Sequence, residues 1–185
     1  MIKMRIGVDI DGTVADLYDY LSKNLDFDFK KVKDYSLKGT GLSLKRLTEV
    51  LKGYERTGEY LKIKPIKGAV EGINKLAENG HSIYFITARD QYNSVDKDTF
   101  NWLNKNKFVF TLLITHSPNK NKVLKKLDIP ILIDDNPNEV KRCSNSGIEC
   151  LLIDQPWNKD LNHNIYDFTR FKGKNKWKKI VKYLT

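Results

Sequence analysis

Two acidic residues two positions apart, Asp9 and Asp11, follow an apolar-leaning run from Met4 to Val8 and precede Gly12 and Thr13. Side chains at i and i+2 of a strand face the same way, so both carboxylates could leave a strand end into one small volume. Crowded carboxylates repel unless a cation or a shared proton relieves them. Hard oxygen ligands with open positions suit Mg²⁺. In such a pair one carboxylate can attack phosphorus while the other moves a proton. The same Asp-x-Asp-Gly also reads as a plain turn, since Asp and Gly are common turn formers.

The elements that must position this pair follow from the apolar pattern. Residues 15–64 separate the first strand from the next apolar unit, too long a span for a simple connection. Within it Leu17, Tyr20, Leu21 and Leu25 recur at helical spacing. A Lys- and Gly-bearing loop over residues 31–41 follows. Ser43 then stands where it can cap a second helix striped by Leu44, Leu47, Val50 and Leu51. The stretch 15–64 is expected to be a small helical cap, inserted in a core domain made of 1–14 and 65–185. Its Tyr18, Tyr54 and Tyr60 offer rings to a nucleobase or pack the cap onto the core, and packing is the preferred reading.

Beyond Pro65 and Gly68, strands and helices alternate. A helix is expected over 68–79, stopped by Gly80, then a strand at Ser82–Ile86 with Thr87 at its end. A helix over Thr99–Asn106, a strand within Phe108–Thr115 and a short helix over Lys120–Leu127 follow. The strand Ile129–Ile133 runs into Asp134 and Asp135, and Pro137 is placed to open a helix that Gly147 ends. Ile148–Ile153 is a fifth strand. Gln155–Lys159 reads as a loop, the residues up to Gly173 as irregular, and Asn175–Leu184 as an amphipathic helix that docks Trp177, Ile180, Val181 and Leu184 on the domain. Such alternation predicts an α/β fold, a three-layer Rossmann-like parallel sheet with helices on both faces. Right-handed crossovers put every strand C-terminus on one edge, where ligands of such sheets bind. That edge would collect Asp9, Asp11, Thr87, Asp134 and Asp135.

Composition sets bounds on partners. At 185 residues the chain is read as one domain with an insert. No apolar run approaches membrane-spanning length, and Met1–Ile10 does not read as a signal peptide, so a cytoplasmic protein without a membrane partner is expected. The net charge of +10 favours anionic partners, phosphates or nucleic acid, but the lysines are spread along the chain and most read as solvated surface. Cys143 and Cys150 fit core packing as free thiols. His81, His116 and His163 have no ligand spacing.

The ordered set VDIDGT, ITAR, a lysine and LIDD resembles the haloacid dehalogenase superfamily of phosphotransferases over nearly the whole chain. With VDIDGTVAD, LIDDNP and LLIDQPWN it looks most similar to the 5'(3')-deoxyribonucleotidase-like branch. The resemblance implies Asp9 as the nucleophile that forms an aspartyl-phosphate. It implies Asp11 as the residue that protonates the leaving oxygen and then activates water. Mg²⁺ would be held by Asp9, the backbone carbonyl of Asp11 and Asp135, with Asp134 as the supporting partner behind Asp135. Thr87 and the Ala88 amide would hold phosphate oxygens, and a lysine would neutralise them. Lys120, at the mouth of its helix, is preferred for that role, with Lys122 the alternative. Arg89 is left in a supporting position, able to reach phosphate or to pair with Asp90 or an acid of the cap.

The chain departs from the animal deoxyribonucleotidases in two places. It has Ala-Arg-Asp after Thr87 where they carry Ser-Pro, and Leu17 where they use an aromatic near the base. The expectation is a Mg²⁺-dependent phosphomonoesterase acting on a small phosphorylated substrate, a nucleoside monophosphate. The alternatives are a polynucleotide 3'-end phosphatase, suggested by the charge, and a non-catalytic nucleic-acid-binding module on the same fold.

Overall fold

A computed structural model describes residues 2–25, 27–28, 31–32, 34, 43–89 and 95–185. Most of the Lys- and Gly-bearing loop expected at 31–41, and Asp90, lie outside them. Six strands form one parallel sheet: β1 (Arg5–Val8), β2 (Ser82–Ile86), β3 (Leu112–Ile114), β4 (Ile131–Asp134), β5 (Glu149–Ile153) and β6 (Thr169–Phe171). Their spatial order is β3-β2-β1-β4-β5-β6. The chain therefore winds outward from β1 in one direction, returns, and winds outward again from β4. The direction reverses between β1 and β4, and a crevice opens there at the carboxyl edge.

The sheet is covered on both faces, so its strands read as nearly continuous apolar runs. Alternation sorts them: Ile131 and Ile133 of β4 and Leu151 and Ile153 of β5 face one core, while Leu132, Cys150 and Leu152 face the other. The first core is closed by α3 (Ala69–Glu78) and α7 (Lys176–Leu184) through Ile73, Leu76, Trp177 and Ile180. The second is closed by α5 (Lys120–Lys126) and α6 (Pro137–Ser144) through Leu124, Val140 and Cys143. Helices α3 and α7 approach closely because residue 72 is glycine; a Cβ there would lie 2.9 Å from Trp177 Cε3. Trp177 also donates its indole N–H to the Thr13 carbonyl at 3.3 Å, tying the last helix to the loop after β1. Both cysteines are buried and unpaired by disulfide, one in α6 and one in β5.

Between β1 and α3 lie α1 (Leu17–Leu25), α2 (Leu44–Thr57) and a 3₁₀ turn at Glu59–Lys62. Ser43 caps α2 by accepting from the Arg46 amide at 3.1 Å. Gly58 ends it in the left-handed region, at φ +67°. The tyrosines of this stretch pack inward: Tyr18 meets Trp157 at 4.1 Å between ring centres, and Tyr54 meets Tyr20 and Tyr60 edge-on. Trp102, on α4 (Val95–Lys105), donates to the Ile63 carbonyl at 2.7 Å and links the stretch to the core.

Three local readings are corrected. The polar stretch before Gly173 contains β6, which pairs Leu151–Ile153 of β5 with Thr169–Phe171. Helix α4 begins at Val95, four residues before Thr99, with Asp96 and Asp98 in its first turn favouring the helix N-terminus. The Gln155–Lys159 loop contains a 3₁₀ turn, Pro156–Asn158, closed by reciprocal Gln155 and Asn158 capping bonds.

Candidate active site

The carboxyl edge at the β1–β4 junction holds a pocket of about 190 Å³ lined by Asp9, Asp11, Thr87, Ala88, Lys120 and Ser117 among others. Strand β1 ends at Val8, so Asp9 and Asp11 do not lie on it. The Ile10 carbonyl accepts from the amides of Val14 and Ala15 at 2.9 and 2.8 Å, and Gly12 takes φ +83°. The motif is thus a turn and also a concentration of acid; the two carboxylates line one pocket because of the turn, not because of strand pleat.

Asp9 is anchored by its amide, which donates to the Ile133 carbonyl of β4 at 2.9 Å. Its Oδ1 accepts from Lys120 Nζ at 2.6 Å, and the same ammonium donates to Asp134 Oδ2 at 2.5 Å. Burial drives the Asp9 carboxyl up to about 7 against the pull of Lys120, with Asp134 and Asp11 pushing further upward. Burial also opposes the charge on Lys120, but Asp134 and Asp9 overcome it and hold the ammonium above its ordinary value. Lys120 is positioned by the buried Glu139, whose Oε2 accepts its backbone amide at 3.0 Å and whose Oε1 pairs with Arg142 at 3.0 Å. Lys122 is exposed on α5 and does not line the pocket.

Asp134 and Asp135 are fully buried. Asp134 Oδ1 accepts from the Asn136 amide at 2.8 Å. Asp135 Oδ1 accepts from Thr13 Oγ1 at 3.0 Å and its Oδ2 from Trp157 Nε1 at 2.9 Å, while Asn158 Nδ2 donates to its carbonyl at 2.8 Å. Burial, then Asp9 and Asp134, push the Asp135 carboxyl well above its ordinary value. Gly12 makes room for it: a Cβ at residue 12 would lie 2.5 Å from Asp135 Oδ2.

One oxygen each from Asp9, Asp134 and Asp135 lies within 4.8 Å of the others, the one such acidic, His or Cys group among the described residues. Lys120 bonds two of the three, Asp9 and Asp134, so with all three carboxylates ionised one cation faces three negative charges. Oxygen donors with excess negative charge fit a hard divalent cation. The histidines stand elsewhere: His81 Nδ1 accepts from the Met4 amide at 3.2 Å, His116 Nε2 meets Asp96 at 2.9 Å, and His163 stacks on Phe168 at 3.9 Å.

Thr87 follows β2 and is buried. Its amide donates to the Ile114 carbonyl at 2.9 Å, and its Oγ1 accepts from the Arg89 amide at 3.2 Å. A hydroxyl used as an acceptor keeps its own O–H to donate. Ala88 is exposed beside it. Asp11 does not join the acidic trio: Arg89 Nη2 donates to its Oδ1 at 2.6 Å and Arg89 Nε to its Oδ2 at 2.8 Å.

The resemblance did not mark Ser117, Glu139 or Thr99 in the sequence. Trp157 and Asn158 were visible only as part of the PWN string, without a role. These residues matter through contacts made across the sheet.

A model of the family described as 5' nucleotidase, deoxy (pyrimidine), cytosolic type C protein matches residues 3–182. A nucleotidase of Clostridium acetobutylicum is 28% identical over 178 residues, covering 91% of this chain and 90% of the relative. Among solved structures, a haloacid dehalogenase-like family hydrolase from Xanthomonas campestris superposes with TM-score 0.64 at 13% identity, over 98% of this chain and 96% of that one. A hydrolase from Pseudomonas syringae superposes with TM-score 0.62 at 15% identity, over 99% and 100%. The superpositions establish a haloacid dehalogenase-like fold, and with the match over nearly the whole length the chain belongs to the cytosolic type C 5'-nucleotidase family of phosphomonoester hydrolases.

Proposed function

We propose that the protein is a Mg²⁺-dependent nucleoside monophosphate phosphatase that works through an aspartyl-phosphate on Asp9. The observation that carries this reading is the position of Asp9, lining the pocket and bonded to Lys120 beside Asp134 and Asp135. Asp9, Asp135 and the Asp11 carbonyl would hold the metal, which when bound supplies positive charge against the phosphoryl oxygens and lowers the proton affinity of Asp9. Asp134 orients Lys120.

In the first half-reaction an Asp9 oxygen bonds to phosphorus as the ester P–O bond breaks. Asp11 gives its proton to the departing oxygen, releasing the nucleoside as an alcohol. Lys120, the Thr87 hydroxyl and the Ala88 amide balance charge on the transferred group. In the second half-reaction water attacks the phosphorus and Asp11 takes its proton. The P–O bond to Asp9 breaks, and inorganic phosphate leaves. The sum is one phosphomonoester and one water converted to one alcohol and one phosphate.

The helices within 15–64 act in this reading as a cap that shapes the nucleoside side of the pocket. The nucleoside assignment is supported by the family match and by the nucleotidase relative. Two buried free thiols, and no helix among the described residues long and apolar enough to cross a membrane, are compatible with a cytoplasmic location.

Phosphate release from ribo- and deoxyribonucleoside 5'- and 3'-monophosphates, sugar phosphates and a 3'-phosphorylated oligonucleotide tests the proposal, each with Mg²⁺ and with EDTA. Nucleoside monophosphates are expected to be turned over, EDTA to stop it, and a folded Asp9→Asn protein to be inactive. Full activity of Asp9→Asn overturns the mechanism. Strong preference for the oligonucleotide with steep salt dependence selects the polynucleotide reading instead.

A further inference from the structure

Asp9 and Asp11, which share the pocket, are held by different cations. Asp9 has Lys120, and Asp11 has Arg89. The Arg89 side chain is only 2% exposed, while that of Asp11 is 18% exposed. Each of the three guanidinium nitrogens is engaged: Nε and Nη2 on the two Asp11 oxygens at 2.8 and 2.6 Å, and Nη1 on Thr99 Oγ1 at 3.1 Å. The guanidinium carbon lies 4.2 Å from the centre of the Tyr60 ring. Arg89 is thus fixed by the turn after β1, by α4 and by the 3₁₀ turn at Glu59–Lys62.

We infer that Arg89 is the positioning residue for Asp11, setting the carboxylate where the leaving oxygen emerges, and that it does not bind the transferred phosphoryl group. This rests on the reading of Asp11 as the proton carrier. A carboxylate on a turn, partly open to water, would otherwise visit several staggered rotamers. A two-bond fork fixes both its direction and the tilt of its plane. Each carboxylate oxygen has a further lone pair, so the fork leaves a place for the travelling proton. A lysine offers one ammonium and cannot reproduce the plane. Thr99 and Tyr60 hold the fork itself against rotation. Because Thr87 Oγ1 accepts from the Arg89 amide, one short turn presents both the phosphate-facing hydroxyl and the brace for the acid.

The experiment compares wild type, Arg89→Lys and Thr99→Val with Mg²⁺ present. The substrates are a nucleoside monophosphate, whose alkoxide leaving group needs a proton, and 4-nitrophenyl phosphate, whose leaving group does not. Arg89→Lys is expected to lower nucleotide kcat about 100-fold. KM and inhibition by inorganic phosphate should stay within about twofold, since no phosphate contact is lost. The first-turnover burst of 4-nitrophenolate should persist at a rate within about threefold of wild type, followed by a slow steady state, because only the second half-reaction then needs Asp11. Thr99→Val, which removes no charge, should shift the same quantities the same way by about threefold, and it keeps the test sound if Arg89→Lys folds poorly. An equal loss in burst and nucleotide rate, a tenfold weaker inhibition by phosphate, or wild-type nucleotide turnover in a folded Arg89→Lys protein overturns the inference alone. A wild-type protein that releases phosphate from neither ester overturns the functional reading, and this inference with it.

Discussion

Replacing Lys120 by methionine keeps most of the side-chain volume and removes the charge that bridges Asp9 and Asp134. The wild-type side chain is 4% exposed, and its ammonium makes two charge-assisted bonds of 2.6 and 2.5 Å. Breaking a buried pair by removing one partner costs about 3–5 kcal/mol, because the remaining charge is stranded. Here relief is available: burial already drives Asp9 up to about 7, and without the lysine Asp9 and Asp134 take up protons more readily. The loss is therefore expected near the low end, about 3 kcal/mol at pH 8. For a domain of this size that is a fall in Tm of roughly 6–12 °C. At pH 5.5 the acids are closer to neutral in both proteins, and the difference should shrink to half or less. Thermal unfolding followed by circular dichroism in EDTA, at both pH values, reads this directly. Equal melting of the two proteins at pH 8, or a difference that grows toward pH 5.5, would refute the view that Lys120 neutralises the buried acids.

Three further outcomes follow from the same geometry. Asp9→Asn should abolish turnover and yet raise Tm in EDTA at pH 8, since a carboxyl whose folded pKa is raised from 3.8 to about 7 opposes folding once ionised; a lowered Tm counts against it. Gly12→Ala forces a Cβ into the left-handed region and to 2.5 Å from Asp135 Oδ2, and should cost about 2 kcal/mol in denaturant unfolding and weaken Mg²⁺ binding by calorimetry; unchanged values in both would be the contrary result. His81 is buried and its proton affinity is lowered, chiefly by that burial, so as pH falls below its ordinary value of 6.5 the unfolded chain takes a proton that the folded chain refuses, and stability drops. Denaturant unfolding between pH 5 and 7 should show His81→Gln flattening this component of the slope, and an unchanged slope would reject the assignment.

What was legible in the sequence were features with local rules. The strands around Asp9 and Asp134–Asp135 stood out because they are buried on both faces, and the caps Ser43 and Pro137 announce helix starts by chemistry that acts within one turn. Between Lys120 and Lys122 the sequence offered a preference and no decision; the structure places Lys120 in the pocket and Lys122 on the exposed side of α5. The three residues of β6 could not be read, because Thr169–Phe171 is too short to show a period and is a strand only by pairing with β5. The fork between Arg89 and Asp11 joins residues 78 apart, and the sequence offered phosphate, Asp90 or a cap acid as equally good partners. Distance through the fold, set by which helices lie on which face, made that choice. Asp9 and Asp11 do line one pocket, but the expected cause was wrong, as the turn around the Ile10 carbonyl and not strand geometry brings them there.

The indole of Trp177 bonds the carbonyl of Thr13, 164 positions away in sequence. In the order of synthesis, the turn that carries Asp9 and Asp11 precedes by many residues the helix that supplies this tether. Thr13 also reaches Asp135 across 122 positions, so the turn draws its contacts from two distant parts of the sequence. Contacts of such long sequence separation must wait for most of the chain to be ordered, and the geometry on which the chemistry depends is therefore a late property of folding, available to the complete sheet with its last helix in place and not to any shorter run of the N-terminal half.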